Sequence, residues 1–414
     1  MQNSHSPLPL DAPYYVVGIE RTPACILNWF KPKLSLALRE DSFPLLVMGG
    51  GGSGRSRALQ SMLIQNIREK SPFIFVRGFG DSHYLEGLLK QVTENECVGD
   101  LRNINFDLSH AGRKHTFDPI NPLVGDLQAF QALFGSVGPL LHQLCLAEHQ
   151  EGQLVDLSLF KSYLDLENLQ RLRDQAKYEP AQEALDHYLI SVLEICYQDG
   201  HSQKQAAMHE KFMSKPLMYY QALVNSQLCS TEPDVDFKNV FKSGKYVCIT
   251  LPMQVKDAES HALLSTLFIY LISQSATQCN QVSANPEVIF DGVYEYRGAL
   301  ALPLDRLSDV NTVFTLQSTS TTDCPDDSFV AQICNAARSV LNMKTESCCH
   351  LDRLKVSAFN HGVSATNLPI TAVQGQSPGD CFAWGNLAVI RKGKPFSLIG
   401  LAKARVRYNG KDSM

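Results

Sequence analysis

Apolar residues along this chain come mostly in short solid blocks closed by polar turns, with one long stretch where they recur at helical spacing. Leu45-Leu46-Val47-Met48, Phe73-Ile74-Phe75-Val76 and Val288-Ile289-Phe290 are blocks of the first kind. A short apolar run bounded by Gly or Asp reads as a strand buried on both faces. Residues 14–19, 246–251, 312–316 and 339–343 read as further strands. Helical patterns separate several of them: Leu59, Met62, Leu63 and Ile67 share one side of the segment after Met48, and residues 261–276 and 329–337 read as helices. Such alternation predicts an α/β fold with a mostly parallel sheet and helices on both faces.

Between about 125 and 230 the pattern changes. Leu185, Tyr188, Leu189, Val192, Leu193 and Cys196 recur at the spacing of an amphipathic helix with one core-facing stripe. Strand-like runs nearly vanish, so this region reads as an all-helical insertion whose polar face is either solvated or a partner surface. A proline-punctuated loop, Phe117-Asp118-Pro119-Ile120-Asn121-Pro122, precedes it. The last part, residues 381–406, alternates strand-like runs with Gly and Pro turns and reads as a hairpin or sheet edge. The expected organisation is a loose leader (1–12), a first nucleotide-domain part (13–124), the insertion (125–234) and a second part with a C-terminal β edge (235–414).

Composition narrows this picture. With 414 residues, 44% hydrophobic and 19% charged, the chain can bury a sizeable core. A net charge of −5 gives no global pull toward nucleic acid. Residues 391–411, with Lys392, Lys394, Lys403, Arg405 and Arg407, read as a solvated rim or a local DNA contact. Twelve cysteines without a repeating spacing suggest reduced thiols. Cys348-Cys349-His350 has no C-x-x-C pair to complete a zinc site. The N-terminus lacks a signal-peptide pattern. The longest apolar region, residues 263–272, falls short of the roughly 20 residues a membrane span needs and reads as a buried helix.

The chemistry concentrates after the first apolar block. Gly49-Gly50-Gly51-Gly52-Ser53-Gly54-Arg55-Ser56 has P-loop spacing, with Arg55 where the motif has Lys. Gly49, Gly52, Ser53, Gly54, Arg55, Ser56 and Arg57 are the candidate phosphate-binding residues; the plainer reading is a tight turn. Val288-Ile289-Phe290-Asp291 has the form of a Walker B strand, so Asp291 and Ser56 are candidate magnesium ligands. Gly292 follows, and a glycine cannot orient an attacking water; Glu295 lies nearby. Gln317 ends the next strand, before Ser318, where it can sense a terminal phosphate or cap a turn. Arg55, Asp291 and Gln317 are the candidate catalytic residues. Arg338 reads as a surface arginine or one reaching a phosphate across a subunit boundary.

The order of these stretches resembles the coupling-protein family of type IV secretion and conjugation systems, within the FtsK/HerA class of RecA-like P-loop ATPases. The likeness rests on Val17 to Thr22, the glycine loop, Asp118-Pro119-Ile120-Asn121-Pro122, Asp236 to Val240, Gly244 to Val247, Leu251-Pro252, Ile289-Phe290-Asp291 and Leu316-Gln317-Ser318, and covers about residues 14–405. It implies a RecA-like domain with an all-helical insertion, ATP and magnesium as cofactors, and a ring-like homo- or hetero-oligomer. It also implies secretion or conjugation partners, a DNA or protein substrate, and a cytoplasmic place at the bacterial inner membrane, reached here only through partners. Arg55 for Lys, Gly292 for Glu, the lack of membrane helices, and Arg77 near a position often acidic in relatives are departures. The readings that follow are a degenerate scaffold or regulator with weak or absent hydrolysis, an active translocating ATPase, or a nucleotide-free adaptor.

Overall fold

The computed structural model describes residues 15–20, 35–38, 42–50, 53–77, 101–106, 114–197, 202–251, 258–277, 286–293, 304–307, 310–317, 327–343, 380–385 and 395–398. Eleven described strands form one sheet. In chain order they are β1 (Tyr15–Glu20), β2 (Ser35–Leu38), β3 (Leu45–Gly49), β4 (Phe73–Arg77), β5 (Leu101–Asn105), β6 (Tyr246–Thr250), β7 (Glu287–Asp291), β8 (Asn311–Gln317), β9 (Ser339–Met343), β10 (Asp380–Gly385) and β11 (Pro395–Leu398). Their spatial order is β2-β1-β11-β10-β9-β3-β8-β7-β4-β6-β5. The seven strands from β9 to β5 run parallel, and the other four join antiparallel.

The solid apolar blocks explain the centre. Leu45 to Met48, Phe73 to Val76 and Val288 to Phe290 are almost wholly buried, as parallel strands covered on both faces must be. Helix α1 (Arg55–Glu69) follows β3 and buries Ala58, Leu59, Met62, Leu63 and Ile67.

Among the described residues six α-helices lie between β5 and β6: α2 (Leu127–Phe134), α3 (Gly138–Gln150), α4 (Leu157–Ser162), α5 (Leu166–Gln175), α6 (Glu179–Tyr197) and α7 (Ser202–Ser226). Asp126, Asp156 and Asp165 start three of them. Each accepts the backbone N–H three residues on, at 3.2, 2.7 and 3.0 Å. Phe130, Phe134, Phe160 and Tyr219 form an aromatic core. Gly138 is required where α3 crosses α2, since a Cβ there would lie 2.5 Å from the Phe130 carbonyl oxygen. Later come α8 (Ala258–Thr277) and α9 (Asp327–Ala336). The apolar region at 263–272 is the buried middle of α8, and Ser265 and Ser273 satisfy their hydroxyls on carbonyls of their own helix. Among the described residues no helix is long and apolar enough to cross a membrane.

The Asn-Pro loop anchors the insertion. Asp118 accepts the Ile120 and Asn121 amides at 3.0 Å each and the Asn121 side-chain amide at 2.9 Å. Asn121 exchanges two bonds with the Val155 backbone, 2.9 and 3.0 Å, and meets His149 Nε2 at 2.7 Å. A second junction joins the insertion to the sheet body. Arg306 ion-pairs with the buried Asp126, bonds Gln128 at 2.7 Å and lies over the Tyr270 ring, while Gln274 donates to Asp126 at 2.9 Å.

Of the two readings of the C-terminal region, hairpin or sheet edge, the hairpin forms as β10 and β11; β1 pairs with β11, and β2 is the outermost of the described strands on that side.

Candidate functional site

Register lines polar residues up near the C-terminal ends of the parallel strands. Asn105 pairs with Thr250, Thr250 with Arg77, and Arg77 with Asp291. Asp291 Oδ1 then accepts the Thr315 hydroxyl at 2.6 Å, and Thr315 pairs with Val47 of β3. Register partners in a parallel ladder project from the same face, so residues far apart in sequence form one row. Asn105, Arg77 and Thr315 are buried; Asp291 and Thr250 are partly so.

The glycine loop leaves the sheet at the same end, from the C-terminal end of β3. Gly49 ends β3 beside Gln317, the last residue of β8. The Ser53 amide donates to the Gly50 carbonyl at 3.3 Å. Gly54 has φ 102°, a left-handed turn that a side chain would strain, and sets the start of α1. Arg55, Ser56 and Arg57 are the first residues of that helix. Ser56 is exposed. Gly52 lies outside the described residues, as do Glu295, Ser318, the Cys348-Cys349-His350 cluster and most of the 391–411 basic segment. Arg338 is exposed, with its amide on the Pro44 carbonyl at 2.9 Å.

Two observations fit a phosphate at this loop. Ser53 is 1% exposed, and its hydroxyl has no partner within the protein. The first turn of α1 carries no acidic residue and its N-cap has no capping side chain, so the positive end of the helix is left for an anion. Ser56 at the start of α1 and Asp291 at the end of β7 are the residues that would meet a magnesium ion here. Thr315 already occupies one oxygen of Asp291, and Arg55 shares its electrostatic environment. Burial pushes the Arg55 guanidinium below its ordinary value, and the Asp291 carboxylate pulls it partly back. Among the described residues no three His, Cys, Asp or Glu side chains converge on a possible ion.

Gly292 has a geometric role that its sequence position did not reveal. Its φ is 79°, and in that left-handed conformation its N–H donates to Thr315 Oγ1 at 2.8 Å. A glutamate there would sit in backbone space that L side chains seldom adopt. The sequence reading also missed Thr315; a lone Thr inside the apolar run Val313-Phe314-Thr315-Leu316 was the available signal.

Parallel strands, a glycine loop feeding α1 and an acidic strand one removed from the loop strand define a RecA-like P-loop NTPase fold with an all-helical insertion. The fold is that of the bacterial conjugative coupling protein TrwB. TrwB with a non-hydrolysable ATP analogue superposes with a TM-score of 0.57 over 94% of this chain and 95% of that chain, at 12% identity. TrwB with ADP and Mg2+ gives 0.56 over 94% and 95%, at 13% identity. The unbound monoclinic form gives 0.55 over 88% and 86%, at 12% identity. No protein-family model and no curated protein sequence matches the chain.

Proposed function

We propose that this chain is a nucleotide-binding component of a type IV secretion or conjugation system that holds ATP with weak or absent hydrolysis and works as a scaffold or regulator in substrate recruitment. The observation that carries this is Gly292. The residue after the acidic strand has no side chain to orient a water, and its left-handed backbone is used to fix Thr315 instead. Arg55 adds to it, because a planar guanidinium does not reproduce the compact charge of a lysine ammonium. The fold likeness to TrwB, a protein solved with ADP and with an ATP analogue, supports nucleotide as the ligand. The orphan Ser53 hydroxyl supports it over a nucleotide-free adaptor.

Charge bears on the partner. Residues 125–230 hold thirteen Asp or Glu against seven Lys or Arg. A helical insertion of that sign repels nucleic acid and suits a basic protein surface. In this proposal the chain assembles with copies of itself or with related subunits on the cytoplasmic side of the inner membrane, and reaches the membrane through them. Calorimetry with ATP, with phosphate release followed in the same sample, tests the reading. Saturable binding without sustained release is the expected result. Sustained release would make the chain a motor, and no binding at millimolar ATP would make it an adaptor.

A further inference from the structure

A cavity of about 320 Å³ lies in the helical insertion where α3, α5 and α6 meet. One wall is apolar: Leu144 from α3, Leu172 from α5, and Ala181 and Leu185 from α6. Tyr178, in the turn between α5 and α6, adds a half-buried ring. The polar part is acidic. Glu148 and Glu151 both line the cavity, three residues apart and so on one side of the C-terminal end of α3. Glu148 is half-buried. The Tyr163 hydroxyl donates to one of its oxygens at 3.0 Å, and among the described residues no basic side chain pairs with it. Glu151 meets Lys177 at 3.9 Å with both side chains exposed, a geometry that contributes little. The end of α3 adds to the negative charge, because the last carbonyls of a helix are partly negative and favour a cation. The basic residue of that turn is His149, which burial holds below its ordinary pKa, so at neutral pH it brings no charge. Lys238 acts on His149 and Asp118, neither of which lines the cavity.

We infer that this cavity takes an arginine side chain of a partner protein, with its stem against the leucines and its guanidinium between Glu148 and Glu151. The inference rests on the reading of the insertion as a surface for a basic protein, and gives that surface an anchor point. Each part of an arginine has a match in the lining. Its methylene stem covers apolar surface while its charged end stays near water. The planar guanidinium donates to two carboxylates at once, which a compact ammonium does less well. The Tyr178 ring offers it a face to stack on. The exposed Lys177 gives up Glu151 at little cost. A single arginine seated in a pocket is also the kind of contact that dominates protein interfaces.

The test is an NMR titration of the full chain, labelled at its leucine methyls, with the blocked peptide acetyl-Gly-Ser-Arg-Ser-Gly-amide. The expected result is a saturable shift of the Leu172 and Leu185 methyl signals. The same peptide with citrulline, a neutral isostere, in place of arginine should bind at least about tenfold more weakly. Glu148→Gln should weaken the arginine peptide by about tenfold while keeping an acceptor for the Tyr163 hydroxyl. Glu210→Gln, at an exposed position of α7 outside the cavity, should leave the affinity unchanged. Equal binding of the citrulline peptide would overturn the proposal, and that comparison needs no substitution in the protein. Arginine-peptide binding that ignores Glu148→Gln would overturn the cavity as its seat and leave the basic-partner reading standing. No binding of the peptide would overturn both. Binding of free agmatine with the peptide excluded would make the cavity a small-molecule site and overturn the docking proposal. The nucleotide reading is untouched by every outcome, since no nucleotide is present.

Discussion

Thr315 holds Asp291 in place: its hydroxyl donates to the carboxylate at 2.6 Å and accepts the Gly292 amide at 2.8 Å. One wholly buried hydroxyl therefore fixes both the acidic residue and the turn after it. Thr315→Val keeps the shape and removes the bond. The expected outcome is a stability loss of roughly 2 kcal/mol, the usual scale for a hydrogen bond to a charged group. Urea denaturation measures it, and an unchanged midpoint would show that the hydroxyl does not hold Asp291.

Asn121 does comparable work at the base of the insertion. Its side chain satisfies both backbone groups of Val155 and touches Asp118 and His149. Asn121→Ala leaves several of these buried groups without partners, each costing on the order of 1–3 kcal/mol. A loss of about 3 kcal/mol is expected, read as an earlier unfolding of helical circular dichroism. ATP affinity should persist, because Asn121 sits in the loop at the base of the insertion and not in the glycine loop. Loss of ATP binding with the fold intact would contradict this division.

Acid should destabilise the protein before its carboxylates titrate. Burial lowers the pKa of His142, His149 and His261 from the ordinary 6.5. A hydrogen bond to the Val124 backbone and the charge of Asp126 partly offset this at His142; at His149 Lys238 lowers it further and Asp118 opposes it. A depressed folded pKa means that the unfolded chain binds protons first as pH falls. The stabilisation from keeping these rings neutral is full above about 6.5 and is lost as pH drops through the folded values, with a slope of at most about 1.4 kcal/mol per pH unit for each histidine. Asp118 works in the opposite sense at lower pH, because burial raises its pKa and the folded state then takes up the proton more readily. Thermal midpoints at pH 7.5, 6.5 and 5.5, about one unit apart across this window, should fall in that order. Equal midpoints would show that the rings are solvated.

Local pattern exposed the apolar blocks and the helical stripe. The runs at 45–48, 73–76 and 288–290 became buried strands, and Leu185, Tyr188, Leu189 and Val192 are the buried side of α6. Strands β2 and β5 escaped notice. β2 is a four-residue edge strand, and β5 mixes Arg102, Asn103 and Asn105 into an edge position on the other side. The glycine loop and Asp291 were legible because each is contiguous with its own strand. The row across the sheet was not, because Arg77, Asp291 and Thr315 are brought together by register, which no local pattern encodes. Gln317 drew attention as the end of its strand, while the bond to Asp291 comes from two residues earlier.

The pairing of β1 with β11 bears on how the chain folds as it is made. Gly18 lies opposite Leu398 and Glu20 opposite Phe396, while among the described strands β2 pairs with β1 alone. Strands β1 and β2, made before the other described strands, therefore find their place in the sheet last. The helices of the insertion, whose contacts are closer in sequence, close earlier, since long-range pairings carry the larger loop-closure cost. Until residue 398 has emerged, the edge of β1 that takes β11 and the facing edge of β10 stand open together, and that interval is when this protein most needs protection from pairing with another chain.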